Sequence, residues 1–509
     1  MRLNPWLLAS AGGALQFLIH PDANAWLLAP LALAPLILLA QNKSLKERFF
    51  AGWLAGFLHW MGLCYWIQGT LERHGGVGLA GSLVLLVFFA LAKGLHTAAF
   101  VSLAGFFAGS RWAVPLCAAL WVGIERLHAP FGFTWLLLGN AALDWPSLPC
   151  LAPWTGVYGL SFLFAGTGAA VALRKPRWLT LALVPLVLPP MPDSAAATRR
   201  ALAVQPNYHE EEPPLEPERD LVAWSAPATR ERFDLVVWPE MPAGLYYDLN
   251  PALRQQFGDL ARAAHAPLLF GSVARANTRE PLNSAVLIDA FGEPRVRYDK
   301  SNLVPFGEFV PWPFDLVVDK VSDQAGMFAP GAGSVVFSLN GHRAGAFICY
   351  ESAFPHYVRE FAASGAELLI NLTNDGYFAR SAARAQHLRL ARLRAIENRR
   401  WLLRPTNDGF TVSIDPAGRL HDPLPPFVRT QGPLRFEYSG ETTFYTRHGD
   451  WFAWACLGTS LAALVTLTRN AKRSSDPPGS PAAPDPNTPS SLPPTTPPSI
   501  PPATPHRTR

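Results

Sequence analysis

RAGAFICYESAFP, residues 343–355, runs from an apolar stretch of strand character into Cys349, then Tyr350 and Glu351, then a Ser, an Ala, a Phe and a Pro. Its reading turns on Cys349. Free cysteine is among the most buried residue types, so a lone cysteine ending a strand reads first as packing. It reads as a nucleophile only when a base and an anion-stabilising group stand with it. Two other segments end in such groups: DLVVWPE (234–240) closes on Glu240, and RVRYDK (295–300) closes on Lys300. Strand ends are the usual place for a site on an α/β sheet. A lone Glu or Lys there is ordinarily just solvated.

Together the three supply what acyl transfer through a thioester requires. A free thiol, with a pKa near ~8.5, is mostly protonated at neutral pH, so a base must sit beside it. Glu240 is the candidate base. The tetrahedral intermediate puts negative charge on the former carbonyl oxygen, and each fixed donor aimed at it contributes roughly 3–4 kcal/mol. Lys300 and the backbone N–H of Tyr350 are the candidate donors. Glu308, in PFGE, is a Gly-flanked acid between two prolines, held rigidly enough to orient Lys300, or else part of a surface turn.

Working outward, the texture from about 200 to 445 is that of an α/β domain. ALAVQ (201–205), DLVVWPE (234–240), PLLFGSVA (267–274), SAVLID (284–289), GAFICY (345–350), ELLINLTND (367–375) and FTVSIDPAG (410–418) read as strands. PALRQQFGDLARAAH and RAQHLRLARLRAIENRR have helical periodicity.

The first 190 residues are different. In a chain of 509 residues that is 49% hydrophobic, they form apolar runs near the ~20 residues that cross a bilayer, at about 4–20, 24–41, 49–69, 77–108, 113–128, 154–173 and 178–190. The run 77–108 is long enough to be tilted or broken near Lys93, and the run after Arg2 doubles as a signal-peptide candidate. Lys and Arg gather in alternate loops (Lys43, Lys46 and Arg48; Arg111; Arg174, Lys175 and Arg177), which marks those loops as cytoplasmic and delivers the α/β domain to the outside face. A further run at 450–468, followed by Arg469, Lys472 and Arg473, returns the chain. Beyond Ser474 the Pro, Ser, Thr and Ala composition reads as a disordered cytoplasmic tail or, alternatively, a proline-motif ligand.

The predicted domains are therefore 1–195, a transmembrane bundle; 196–448, the catalytic domain; 449–469, an eighth transmembrane helix; and 470–509, the tail. The five cysteines are scattered without a C-x-x-C pair, which argues against a disulfide framework and a zinc ribbon, and no metal is expected. The net charge of +5 does not gather into a patch with interleaved aromatics, so no nucleic-acid partner is expected.

VVWPEMP, YDKSNLVPFGEFVPW, FICYESAFP, LINLTNDGYF and LRAIENRRWLLRPTNDG resemble the nitrilase (carbon-nitrogen hydrolase) superfamily. That resemblance implies a Glu-Lys-Cys triad on an αββα sandwich. With GFTW (132–135) after Glu125, GVYGLSFL (156–163) and about eight spans, the chain resembles the apolipoprotein N-acyltransferase family over roughly residues 1–470. The family resemblance implies that Glu240 is the general base, Lys300 the oxyanion stabiliser and Cys349 the acylated nucleophile, with Glu308 and Glu351 positioning them. It also implies that no cofactor is used, that the enzyme is a monomer of the bacterial inner membrane, and that its catalytic domain is periplasmic. The substrates it implies are a phospholipid acyl donor and a diacylglyceryl-modified apolipoprotein acceptor. The segments Lys300-Ser301-Asn302-Leu303-Val304-Pro305 and Asn374-Asp375-Gly376-Tyr377-Phe378-Ala379 depart from the family pattern at Asn302, Tyr377 and Ala379. The rival readings are a membrane-bound amidase of the same superfamily and a non-catalytic membrane scaffold.

FVPWPFDLVVDKVSDQAGMF (309–328) is apolar and aromatic for a connection between strands. It reads as a mobile arm dipping into the bilayer interface, or as ordinary packing on the membrane helices. If it is an arm, replacing Trp312 and Phe314 by Ser slows acylation; unchanged activity rules the arm out.

Overall fold

The computed structural model describes residues 4–41, 43–130, 133–193, 196–209, 215–276, 280–310 and 328–475. Most of the proposed arm, 311–327, and the tail from 476 lie outside the described residues.

Period-two alternation builds the α/β half. In β1 (Arg199–Gln205), Ala201 and Ala203 face a core shared with the other sheet, while Leu202 and Val204 face outward to a helix, Pro251–Ala264. The remaining strands are β2 (Leu235–Val237), β3 (Leu268–Arg275), β4 (Pro281–Ile288), β5 (Pro294–Asp299), β6 (Val336–Leu339), β7 (His342–Ile348), β8 (Leu368–Leu372), β9 (Trp401–Arg404), β10 (Val412–Ile414), β11 (Leu420–His421) and β12 (Thr430–Phe436). They form two six-stranded sheets, ordered β12-β1-β2-β3-β4-β5 and β11-β10-β9-β8-β7-β6. Each has a parallel centre, β1-β2-β3 or β7-β8-β9, flanked by antiparallel strands. The inner faces meet through Ala203, Leu235 and Leu269 on one side and Ala346, Leu368 and Ile370 on the other. Helices Pro355–Ala363 and Ala383–Asn398 accompany the second sheet, which completes the αββα order.

Each expected strand run contains a strand, some shorter than the run. GAFICY stops at Ile348 and DLVVWPE at Val237, because the chain turns away to present Cys349 and Glu240. The strands without a sequence expectation are short or at an edge. β12 carries Gly432 and Pro433, which only an edge strand tolerates, and β6 and β11 close the ends of the second sheet.

In the N-terminal half the apolar runs form helices Pro5–Leu18, Ala34–Ala40, Leu45–Leu63, Gly78–Ala104, Ala113–Arg126 and Val157–Ala172. Three runs are reshaped. Pro30 and Pro35 divide the run at 24–41 into a 3-10 turn, Trp26–Leu31, and the helix Ala34–Ala40. The run at 49–69 breaks after Leu63, and a second helix, Trp66–His74, turns under the α/β domain. The run at 178–190 is a 3-10 segment, Pro176–Leu183, with one α-turn, Val184–Val187. By contrast Gly78–Ala104 is continuous through Lys93. Among the described residues, two helices, Gly78–Phe107 and Trp451–Arg469, are long and apolar enough to cross a membrane.

Gly271 in β3 lets the turn at Glu240 lie against the sheet. A Cβ there would stand 2.8 Å from Glu240 Cα and closer still to Met241 N. Met241 itself sits at φ +35°, so the turn has little room to yield. Gly271→Ala is therefore expected to destabilise the domain by about 1–3 kcal/mol and to lower activity at temperatures where the protein stays folded. Thermal unfolding in detergent, read beside an acylation rate, checks both.

Candidate active site

Glu240 follows β2, Lys300 follows β5 and Cys349 follows β7, so three strand ends from two facing sheets converge. Lys300 is 1% exposed, Glu240 2%, Cys349 5% and Glu308 7%. Lys300 Nζ lies 3.1 Å from Glu240 Oε1 and 2.9 Å from Glu308 Oε1. Asn283, on β4, donates through Nδ2 to the same two oxygens, at 2.8 and 2.7 Å. The outer oxygens are held by backbone: Asn374 N–H donates to Glu240 Oε2 (2.9 Å) and Val304 N–H to Glu308 Oε2 (2.8 Å). Both acids are thereby fixed in place. Burial works against the Lys300 ammonium, but Glu240 and Glu308 outweigh it and raise its pKa well above the ordinary lysine value.

Cys349 begins a short 3-10 turn, Cys349–Ala353, with φ +51°, a conformation a side chain adopts only when its surroundings impose it. The turn lifts the thiol off the end of β7. Burial pushes the Cys349 pKa well up, Glu240 adds to the rise, and the Lys300 charge opposes it without overcoming it. The shift favours the thiol over the thiolate.

Glu351 lies behind the site, fully buried. It accepts from Ile348 N–H (2.7 Å), Ser301 N–H (2.8 Å) and Asn302 N–H (3.0 Å), and from the Tyr298 hydroxyl at 2.7 Å. One carboxylate therefore ties the turn carrying Cys349 to the segment carrying Lys300. Tyr350 contributes its ring, stacked near Phe133 (centroids 5.8 Å) and Trp135 (6.1 Å).

Several residues that position the site carried no prediction. Asn283 is one; its signal was a lone polar side chain in the inward register of an apolar strand, PLNSAVLI. His387 is another. Its Nε2 donates to the Cys349 carbonyl (3.0 Å), while Nδ1 stands 3.0 Å from Asp375 Oδ1 and 3.1 Å from Arg404 Nη2. Burial alone would raise the Asp375 pKa, but Arg404 and His387 hold it well below the carboxylate range. This buried relay fixes the carbonyl of a residue whose φ is unusual. Only tertiary contact brings its members together.

Glu240, Lys300, Glu308, Cys349 and Tyr350 all line one cavity of about 310 Å³, whose other walls are mostly apolar and aromatic, with Thr70, His74, Lys93 and Asn374 among them. Trp66, Ile67 and Leu71 come from the helix Trp66–His74, and Leu85, Phe88, Phe89 and Lys93 from Gly78–Ala104. An anion-stabilising, nucleophilic floor thus meets a greasy wall built by the N-terminal half.

Residues 12–170 match the apolipoprotein N-acyltransferase N-terminal domain, and residues 199–430 match carbon-nitrogen hydrolase. The chain is 32% identical to the apolipoprotein N-acyltransferase of Geobacter metallireducens, over 92% of this chain and 96% of that protein. It is 34% identical to that of Azotobacter vinelandii over 93% and 96% of the two chains. For Pseudomonas putida the figures are 31% over 83% and 88%. The chain belongs to the apolipoprotein N-acyltransferase family. It carries the family's two domains joined at one cavity.

Because burial and Glu240 raise the Cys349 pKa, its alkylation by iodoacetamide is expected to keep rising as pH increases past about 8.5, the ordinary thiol value. Mass spectrometry of the Cys349 peptide tracks the change. A plateau at lower pH would mean a preformed thiolate paired with Lys300 and would remove the need for Glu240 as base.

Proposed function

We propose that Cys349 is the acyl carrier of an N-acyltransferase that takes a fatty acyl chain from a phospholipid and passes it to the α-amine of a diacylglyceryl-cysteine at the N-terminus of an apolipoprotein. One observation carries this reading. A buried cysteine, set at positive φ beside a Lys-Glu pair, shares a cavity with apolar side chains of a helix long enough to cross a membrane.

In the first half-reaction Glu240 takes the Cys349 proton as sulfur attacks the ester carbonyl. Charge developing on the oxygen is met by Lys300 and the Tyr350 N–H, which lies in the first turn of a 3-10 helix, where backbone donors have no acceptor within the helix. The C–O bond breaks, the proton on Glu240 passes to the departing alkoxide, and a lysophospholipid leaves. In the second, the acceptor amine attacks the thioester and gives a proton to Glu240; the C–S bond breaks and sulfur recovers that proton. Burial first, and then the Glu240 charge, opposes a free thiolate, so proton removal accompanies attack. Glu308 and Glu351 act by holding Lys300 and the Cys349 turn.

The membrane arrangement is part of the same proposal. Basic residues at Lys43, Lys46, Arg48, Arg111, Arg174, Lys175 and Arg177 alternate with loops whose one strong cation is Arg73, which supports about eight spans, a catalytic domain at 196–448 on the periplasmic side of the bacterial inner membrane, and a cytoplasmic tail. Exposed Leu79, Leu83, Val84, Val87 and Phe88 on Gly78–Ala104 suit a lipid surface. Both substrates then arrive by lateral diffusion. The amidase alternative needs water at the thioester, and the apolar cavity walls disfavour it.

Incubating the purified protein with phospholipid is expected to give one acyl adduct on the Cys349 peptide by mass spectrometry. Cys349→Ala gives none, and Glu240→Gln slows adduct formation on the order of 10²–10⁴-fold. A folded wild-type protein without the adduct defeats the thioester route.

A further inference from the structure

Lys93 stands within the helix Gly78–Ala104 and is 5% exposed. Its ammonium donates to the Phe133 carbonyl at 2.8 Å and lies 5.0 Å from the centre of the Trp60 ring. Around it are the imidazoles of His59, His96 and His128 and the Cys64 thiol. Among the described residues no carboxylate pairs with it. This is the reverse of Lys300, which faces two.

Burying an ammonium costs several kcal/mol, and a single carbonyl with an aromatic face recovers only part of that. Leu or Phe, like Leu85, Phe88 and Phe89 on the same helix, would carry no such cost. An ionisable side chain in a membrane helix without a charged partner points to an anionic ligand. The cavity shows where that ligand lies, because Lys93 lines the same space as Cys349. A short path of contacts joins the two: Lys93 holds Phe133, and the Phe133 ring is stacked near Tyr350, the residue after Cys349.

The anion must also be one that enters an apolar cavity. A glycerophospholipid qualifies: its phosphodiester is charged throughout the physiological range and stands one glycerol unit from the ester carbonyls. We infer that Lys93 is the counter-cation for the phosphate of the acyl donor, holding the headgroup so that an ester carbonyl, and not the tail, meets Cys349. This rests on the proposed function above, since it names the group that recognises the donor. Lys300 serves the oxyanion and Lys93 the phosphate, so the two cations divide the charges of one substrate.

The test isolates the first half-reaction and omits the acceptor. Wild type, Lys93→Met and Lys93→Arg are each incubated in detergent micelles with dioleoylphosphatidylethanolamine or with p-nitrophenyl palmitate, an ester without phosphate, and acyl-Cys349 is followed by mass spectrometry. Lys93→Met is expected to slow acylation from the phospholipid about ten- to a hundredfold while leaving the p-nitrophenyl ester rate unchanged. Lys93→Arg retains most of the phospholipid rate. Equal losses on both donors would make Lys93 a purely structural residue and overturn the inference, as would no loss on either. Wild type that forms no thioester from either donor would overturn the proposed function itself, a result distinct from both.

Discussion

An ammonium buried between two carboxylates organises this molecule. Lys300 and Glu240 follow two strand ends, Asn283 lies within a third strand and Glu308 in a loop, and the three charged members are not stable in the interior alone, because each charge out of water costs several kcal/mol until its partners are in place. Removing one member strands the others. The cluster therefore holds β2, β4 and β5 and the Glu308 loop in one relative position, and its carboxylates add to the burial that raises the Cys349 pKa.

The second constraint joins the two halves of the chain. Helix Ala383–Asn398 is buried along nearly its whole length although it carries four arginines. Its Gln386 accepts from the indole N–H groups of Trp66 and Trp135 and donates to the carbonyls of Pro21 and Leu63, while Arg389 pairs with Asp144 at 2.7 Å and Glu397 accepts from Val157 N–H. Gln386, Arg389 and Glu397 thus connect this helix to the N-terminal half. The same contacts set Trp66 and Trp135 beside the cavity, so the apolar wall and the reactive floor are built by one interface.

Much of the site was legible in sequence because its residues sit where strands stop. A side chain that serves a cavity at the end of a sheet must leave its strand, so a polar residue directly after an apolar strand stands out; Glu240, Lys300 and Cys349 each lie just past a strand end. Asn283 was harder to read, being one polar residue inside a strand whose inward register only pairing defines. His387, Asp375 and Arg404 left no local signal, since the relay they form on the Cys349 carbonyl depends on a helix, a turn and a strand meeting. Apolar length was also an imperfect guide in the N-terminal half: proline at 30 and 35 divides one run, and another breaks to send Trp66–His74 under the catalytic domain.

Sequence by itself determined the α/β class, the apolar N-terminal half and the family resemblance, and it singled out three strand-end residues, because period, composition and strand-end chemistry are local properties. Tertiary structure alone decided how those residues share their charge, which carboxylate ties the Cys349 turn to Lys300, and that a cation from a membrane-length helix faces the same cavity. Those are relations between segments far apart in the chain. They exist only once burial has removed water and forced each charge to find its partner.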